Sequence, residues 1–301
     1  MPVRVAWAAW VQGLVGLAKA ALFITLAVVI VHQVYFGPRR LEAARADVIN
    51  RFEQERKTRV IALIHRQDTV SVFGVPVSSN ISIEDSEAVL RAIRLTPAAQ
   101  PIDVILHTPG GQVLAAEQIA NALSERKAKV TVFVPHYAMS GGTIIALAAD
   151  EIVMDANAVL GPVDPQIGDL PAASIVRMVE IKGTANVSDQ MLVLADSAQK
   201  ARLQVAYFVS QILIRKRYPQ KKALDIATIL SEGRWTHDFP ILVTAARQLG
   251  LPVSTDMPRT VYDLMDLYPQ GAKGRPSVLY VPVRRGLGGS DLLPSLPGLL
   301  P

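Results

Sequence analysis

The chain has no cysteine among its 301 residues, and it has few aromatic residues (6%) and few charged residues (19%). Without cysteine there is no disulfide, no zinc–thiolate site and no thiol nucleophile, whereas metal binding through histidine and carboxylate side chains stays open. Half of the residues are hydrophobic, and this composition is the opposite of that of a disordered chain. The length suits one large domain or two small ones with a substantial core.

Much of the apolarity is concentrated at the N-terminus. Residues 5–36 contain no acidic residue and a single basic one, Lys19. The apolar stretch within residues 5–36 is long enough to cross the hydrocarbon core of a bilayer, which takes roughly 20 residues. No small-x-small cleavage site, as in a secretory signal peptide, follows it. We therefore predict an uncleaved transmembrane helix within residues 1–36.

The flanking charges predict the orientation of this segment. Four arginines follow it, namely Arg39, Arg40, Arg45 and Arg51, and the positive-inside rule places such a flank in the cytoplasm. We expect a single-pass membrane protein with a cytoplasmic catalytic domain. Beyond residue 36 the chain carries 29 basic and 26 acidic residues. That balance, without a basic stripe interleaved with aromatics, predicts no nucleic-acid partner.

The rest of the chain divides into three parts. Residues 37–58 are charged and helix-favouring, and they predict a solvated stalk helix. Residues 59–283 form the predicted globular domain, and residues 284–301, rich in glycine, proline and leucine, predict a flexible tail.

Strands alternate with helices in the first half of the predicted domain, which is typical of an α/β fold with a parallel sheet. The predicted strands are Val60–Ile64, Val70–Phe73, Ile102–Leu106, Val130–Val134, Glu151–Met154 and Ala158–Leu160. The predicted helices of this half are Ile83–Arg94, Gln112–Arg126 and Ser140–Ala149. After Pro171 the pattern becomes helical, with helices predicted at Ala172–Lys182, Asp189–Tyr218, Lys222–Leu230 and Ile241–Leu249.

Two glycine-containing motifs each follow a predicted parallel strand, HTPGG at residues 107–111 and YAMSGG at residues 137–142. Sites in open α/β sheets form at the carboxyl ends of strands. Paired glycines let backbone N–H groups approach a ligand, and Ser140 would open a helix at the positive end of its dipole. An ordinary glycine turn with Ser140 as an N-cap would explain either motif alone. Together the motifs favour a serine nucleophile with N–H donors for an oxyanion.

The runs HTPGGQVLAAEQIANAL and VTVFVPHYAMSGGTIIALAADEIVMDANAVLGPVDPQIG resemble the serine dehydrogenase proteinase family. These proteins are membrane-associated relatives of signal peptide peptidase A within the Clp protease/crotonase superfamily. The resemblance spans roughly residues 60–283. It implies an α/β fold of repeated ββα units in a spiral with a parallel sheet, a nucleophilic Ser140, and an oxyanion hole built from Gly110, Gly111 and Gly141. It also implies a polypeptide substrate and a homo-oligomer, and no motif requires a cofactor or metal.

The residues offer more than one candidate for the general base. The catalytic histidine of the Clp proteolytic subunit would fall near Pro165 and Gln166, so that triad does not carry over. Relatives of signal peptide peptidase A use a Ser-Lys pair instead. Lys182 lies 42 residues after Ser140 in an apolar-flanked stretch, where desolvation would lower its pKa. By that resemblance Lys182 is the predicted base, although its surroundings alone suggest an exposed helix-end lysine.

Other residues remain open candidates. Lys200 and His237 are alternative bases, and His136 would border the site. Asp164 and Gln166 depart from the small-residue turn usual in the superfamily and would shape the substrate channel, with turn formation as the alternative. The resulting prediction is a membrane-anchored serine endopeptidase with a Ser140–Lys182 dyad. An inactive scaffold that binds peptides or membrane proteins is the alternative from another class, and an acyl-CoA enzyme of the same fold is a third.

Overall fold

The computed structural model describes residues 16–28, 37–65, 70–72, 75–77 and 80–268. The helices are α1 (residues 16–28), α2 (Gly37–Arg56), α3 (Ile83–Leu95), α4 (Val113–Ser124), α5 (Gly141–Leu147), α6 (Ala172–Lys182), α7 (Asp189–Arg215), α8 (Gln220–Ser231), α9 (Val243–Gln248) and α10 (Arg259–Asp266). The strands are β1 (Arg59–Ile64), β2 (Val70–Val72), β3 (Val75–Val77), β4 (Ile102–His107), β5 (Val130–Val134), β6 (Tyr137–Ala138), β7 (Glu151–Met154), β8 (Val159–Leu160), β9 (Gln166–Ile167), β10 (Leu170–Pro171), β11 (Ile241–Leu242) and β12 (Val253–Ser254).

A parallel sheet with the strand order β1-β4-β5-β7-β12 forms the centre of the domain. Every residue of β4 and β5 is buried, which explains why both strands are mostly apolar in the sequence, with Asp103, His107 and Thr131 as buried polar exceptions. A smaller sheet, ordered β11-β8-β6, lies beyond the carboxyl ends and includes the start of the second glycine motif. The predicted α/β fold with a parallel sheet is confirmed.

The two faces of the central sheet are covered by different helices. Because successive side chains of a strand point to opposite faces, Val104 and Val132 belong to the larger core, which also contains residues of α4, α5 and α7. Ile105 and Phe133 point the other way, into a second core shared with α2 and α10. The sheet is therefore a middle layer between two helical layers.

Helix α2 occupies the segment predicted as a solvated stalk, yet its second half packs on the sheet. Phe52 is 1% exposed and meets the Phe133 ring edge-on, with 5.5 Å between ring centroids. At the end of the helix, Arg56 forms an ion pair with the buried carboxylate of Asp103 on β4. This part of α2 thus belongs to the globular domain, where the sequence alone indicated only solvated charge.

Further differences concern short elements, among them the unpredicted strands β3, β6, β9 and β10 and several elements near the C-terminal end of the domain. The segment predicted as one helix over Ile241–Leu249 consists of β11 followed by α9. β12 and α10 were not predicted, although Val261, Leu264 and Met265 of α10 are buried at helical spacing. Such short elements carry too few apolar positions for periodicity alone to identify them.

Of the predicted transmembrane segment, residues 16–28 are described, and they form an exposed helix. Within the described ranges no helix combines the length and apolarity needed to cross a bilayer. Residues 1–15 and 29–36, and the predicted tail of residues 284–301, lie outside the described residues.

Candidate active site

The first glycine motif forms a tightly held loop after β4. The Gly110 carbonyl accepts a hydrogen bond from the Ile81 N–H (2.7 Å), and the Gln112 N–H donates to the Ile81 carbonyl (2.9 Å). In a trans peptide the C=O and the following N–H point in opposite directions, so the Gly111 N–H points away from Ile81. A Cβ at Gly111 would lie 2.3 Å from the Ile81 carbonyl oxygen. Only glycine fits this position.

The second motif holds Ser140 in a strained backbone conformation, with φ 50° and ψ −117°. A non-glycine residue in such a region costs about 1–3 kcal/mol and persists only where its neighbours enforce it. The Met139 N–H donates to the Thr108 carbonyl (3.0 Å), and the Gly142 N–H donates to the Met139 carbonyl (2.7 Å). Although Ser140 occupies the N-cap position of α5, its hydroxyl makes no capping hydrogen bond. An ordinary N-cap role therefore does not account for this serine.

The two motifs pack directly against each other. A Cβ built on Gly110 would lie 2.8 Å from Ser140 Cβ and 3.3 Å from the Gly141 nitrogen, and one built on Gly141 would lie 3.7 Å from the Gly111 nitrogen. No acceptor in the described part of the chain takes up the N–H of Gly111 or of Gly141. The serine hydroxyl thus stands beside two free backbone donors, the arrangement needed to stabilise a tetrahedral oxyanion.

A cleft of about 240 Å³ opens at Ser140. Its walls include both glycine motifs, apolar side chains from α4, α5 and α7, and a polar group consisting of Asp164, Gln166 and His237. The apolar side chains are Val113, Ile144 and Val205. The cleft therefore combines a candidate nucleophile, oxyanion donors and titratable groups in one place.

His237 and Asp164 form a hydrogen-bonded pair in this cleft, with 2.9 Å between Nδ1 and Oδ1. Asp164 is 3% exposed, and its second oxygen accepts from Gln166 Nε2 at 2.7 Å. The hydrogen bond to Asp164 raises the pKa of His237 above its ordinary value, against the opposing effect of burial. Because an ionised carboxylate only accepts hydrogen bonds, the proton of the neutral ring lies on Nδ1. Nε2 is then free to accept a proton.

The two candidate lysines lie elsewhere. Lys182 is the exposed last residue of α6, and its backbone carbonyl accepts from the Asn186 side-chain amide at 2.8 Å. Lys200 is exposed on α7 and forms an ion pair with Asp196 (2.5 Å). Neither is part of the cleft wall around Ser140.

His136, predicted to border the site, and two further histidines lie near the strand ends. His136 is exposed, with its ring centroid 5.9 Å from that of His107 and 5.2 Å from that of Tyr137, and it is not part of the cleft wall. His107 is fully buried, and its Nδ1 lies 2.7 Å from the His65 carbonyl oxygen. Both His65 and His107 thus contact neighbouring strand ends.

Sequence reasoning did not foresee the pairing of Asp164 with His237, which are 73 residues apart. Nor did it assign a role to Ile81, which holds the first motif only through its backbone. In the sequence, the pair was signalled only by His237 as an alternative base and by the departure from small residues at Asp164. In the described ranges no group of three histidine or carboxylate side chains is suited to hold a metal ion.

Comparison with known proteins gives a family and several relatives. The model for ClpP-like SDH-type serine proteinases matches residues 11–288. An uncharacterized protein of Methanocaldococcus jannaschii is 55% identical over 239 residues, which cover 79% of this chain and 81% of that protein.

Two solved structures align with part of the chain. The 1510-N membrane-bound stomatin-specific protease aligns with a TM-score of 0.41 at 18% identity, over 61% of this chain and 79% of that one. ClpP1 from Listeria monocytogenes aligns with a TM-score of 0.42 at 16% identity, over 68% of this chain and 96% of that one. At these TM-scores neither likeness bears on the mechanism.

Proposed function

The chain belongs to the ClpP-like SDH-type serine proteinases, and from this premise we propose that it hydrolyses peptide bonds with Ser140 as nucleophile and His237 as general base, oriented by Asp164. The observation that carries the proposal is the 2.9 Å His237–Asp164 pair in the cleft that Ser140 also lines. A serine hydroxyl needs a neighbouring proton acceptor to attack a carbonyl, and a carboxylate-oriented imidazole performs that role on several unrelated folds.

The proposed reaction follows from these positions. Ser140 Oγ attacks the peptide carbonyl carbon as its proton passes to His237 Nε2, and Asp164 stabilises the imidazolium that forms. The N–H groups of Gly111 and Gly141 bind the oxyanion. The tetrahedral intermediate collapses when the imidazolium donates its proton to the leaving amine. Water, deprotonated by His237, then attacks the acyl-enzyme and releases the acid and the free serine.

The Ser140–Lys182 dyad remains the competing assignment of the base. A lysine acts as a base when apolar surroundings desolvate its amine, and the exposed end of α6 offers no such surroundings in the single chain. His237, in contrast, is half-buried, held by a carboxylate and part of the cleft wall. The geometry therefore favours His237.

Replacing Asp164 by asparagine is expected to lower kcat/KM by roughly 10³–10⁴-fold, because the carboxylate no longer fixes the ring tautomer or stabilises the imidazolium. The pH profile gives a second readout. His237 must be neutral to act as a base, and its pKa is raised by Asp164, so activity of the native chain should rise with pH through a value above about 6.5. In Asp164→Asn the residual activity should also rise with pH, but the rise should occur at lower pH than in the native chain, because the pKa of His237 is no longer raised by the carboxylate. Hydrolysis of a fluorogenic peptide between pH 5 and 9 measures both effects.

Asp238→Asn is the matched control, since Asp238 is an exposed neighbouring carboxylate that acts on His237 only through its charge. We expect this variant to stay within about threefold of the native chain, because exposed charges interact weakly. Equal losses of kcat/KM in both variants would contradict the proposed base. So would a rise of activity with pH in Asp164→Asn at the same pH as in the native chain.

We further propose that residues 1–36 anchor the protein in a membrane with the catalytic domain in the cytoplasm. The support is the lack of acidic residues in this stretch and the arginines that follow it. A reporter that is active only in the cytoplasm, fused at the C-terminus, should be active, and the full chain should stay in the membrane pellet after carbonate extraction. Activity only of a reporter that works outside the cytoplasm would reverse the orientation, and extraction into the supernatant would refute the anchor.

A homo-oligomer is a further part of the proposal. Large apolar side chains on α7 are exposed in the single chain, including Val193 (67%), Leu203 (60%) and Tyr207 (66%). Burial of such groups against a second copy would remove apolar area from water. Sedimentation of the purified protein should give a multiple of the chain mass, and a monomer at all concentrations would exclude this part.

A further inference from the structure

A chain of hydrogen-bonded side chains runs beneath the loop of the first glycine motif. Asp85 Oδ2 lies 3.3 Å from His65 Nε2, and His65 Nδ1 lies 2.9 Å from Thr108 Oγ1. Thr108 Oγ1 in turn accepts from the Gly110 N–H at 3.2 Å. Thr108 is fully buried, and His65 is mostly buried with 12% of its side chain exposed. These contacts connect α3 and the end of β1 to the peptide that precedes Gly110.

The donors and acceptors of this chain match when His65 is neutral. Burial lowers the pKa of His65, with the neighbouring Asp85 acting in the opposite direction. A neutral imidazole has one donor and one acceptor nitrogen. Since the Asp85 carboxylate can only accept, Nε2–H donates to Asp85, and Nδ1 is left to accept from the Thr108 hydroxyl at 2.9 Å, a shorter contact than the 3.3 Å from that hydroxyl to the Gly110 carbonyl oxygen. The Thr108 oxygen then keeps a lone pair for the Gly110 N–H.

The result is that Gly110 is held on both sides. Its N–H is bound by Thr108, and its carbonyl is bound by the Ile81 N–H. Gly110 has φ +110°, in a region that only glycine occupies easily, and a glycine without such contacts would rotate freely. The peptide between Gly110 and Gly111 carries the candidate oxyanion donor, so its orientation depends on these contacts.

We propose that His65 is a positioning residue for the oxyanion hole, which acts through Thr108 to keep the Gly111 N–H directed at the substrate carbonyl oxygen. The inference rests on the proposed roles of Ser140 and Gly111, and it is independent of the identity of the general base. Preorganised donors stabilise the transition state more than the bound substrate. His65 should therefore affect kcat and leave KM nearly unchanged.

A purely structural role for His65 makes a different prediction. Asp85 is also part of the capping box of α3, where it accepts from the Ser82 N–H at 2.8 Å. If His65 only stabilised this helix, loss of its Nε2 contact with Asp85 would cause the larger loss of activity. If His65 positions the loop that carries the Gly111 N–H, loss of its Nδ1 contact with Thr108 would cause the larger loss of kcat.

Two substitutions of His65 separate these contacts. In His65→Asn the side-chain amide occupies the place of Nδ1, so it keeps the contact with Thr108 and loses the one with Asp85. In His65→Gln the amide reaches the place of Nε2, so it keeps Asp85 and loses Thr108. We expect His65→Gln to lower kcat by about 10–100-fold, less than the 10²–10³-fold loss of a complete oxyanion donor, with KM within about twofold. His65→Asn should retain kcat within about threefold.

Thr108 provides an independent arm of the test. Thr108→Val removes the hydroxyl with little change of shape and should lower kcat as His65→Gln does, whereas Thr108→Ser should retain activity. Because both residues belong to one chain of contacts, the double variant His65→Gln/Thr108→Val should lose no more than the single ones. A peptide boronate, which forms a tetrahedral adduct, should bind these variants more weakly in parallel with kcat, and thermal unfolding should show that each variant is folded.

Several outcomes would overturn the role of His65. Equal activity of the Asn and Gln variants, a loss confined to KM, or multiplied losses in the double variant would each refute it. Failure of the proposed function is recognised separately, because peptide cleavage would then survive Ser140→Ala in an otherwise native chain. If Ser140→Ala is inactive and the native chain cleaves, the comparison of the two His65 variants alone decides the inference.

Discussion

Replacement of Ser140 by alanine is expected to lower kcat/KM for peptide hydrolysis by about 10⁵–10⁶-fold, the loss typical of a missing serine nucleophile. The oxyanion donors Gly111 and Gly141 stay in place, so substrate binding should persist while turnover stops. The fold should be little affected, because the Ser140 hydroxyl makes no capping hydrogen bond. Cleavage of an unfolded protein substrate and labelling by a fluorophosphonate measure the effect, and both should disappear in the variant.

Ser188→Ala is the matched control for this substitution. Ser188 is also the N-cap of a helix, but its hydroxyl accepts from the Met191 N–H at 3.3 Å. We expect it to lose about 1 kcal/mol of stability and no turnover, the reverse of the expectation for Ser140→Ala. Undiminished cleavage by Ser140→Ala would show that another group is the nucleophile.

The second large effect is expected for His237→Ala, which should lower kcat/KM by about 10⁴–10⁶-fold, as loss of a catalytic histidine does in serine peptidases. Lys182→Ala should stay within about threefold, because the lysine is exposed and outside the cleft wall. His237 is 36% exposed, so its removal opens no large cavity in the core. Both variants are measured with the same fluorogenic peptide at saturating and at low concentrations.

The paired design makes every result informative about the base. A loss only in Lys182→Ala would establish the Ser-Lys dyad and exclude His237. A loss only in His237→Ala would exclude the dyad. Equivalent losses in both variants would indicate that Lys182 reaches the site of a neighbouring copy. In that case, mixing the inactive Ser140→Ala and Lys182→Ala chains should restore activity.

The parallel sheet and its order of elements were predictable because the signals are local. Buried parallel strands such as β4 and β5 appear as short, mostly apolar runs, and the glycine pairs in the segments that follow them mark the turns at the carboxyl edge. The docking of α2 was not predictable in this way. Its charged residues dominate the composition, while the burial of Phe52 depends on Phe133, which lies more than 80 residues further along the chain.

The candidate site also has a part that local sequence predicts and a part that depends on tertiary contacts. Local sequence was enough to propose the candidate nucleophile and its oxyanion donors, because the serine and the glycines follow neighbouring parallel strands, whose carboxyl ends meet at one edge of the sheet. The choice of a partner for Ser140 could not be made locally. Asp164 and His237 are 73 residues apart, and only the packed chain brings them into one cleft. Lys182, the candidate favoured by resemblance, lies on the exposed end of α6. A lysine acts as a base when it is buried among apolar groups, and such burial depends on tertiary contacts that this helix end does not make.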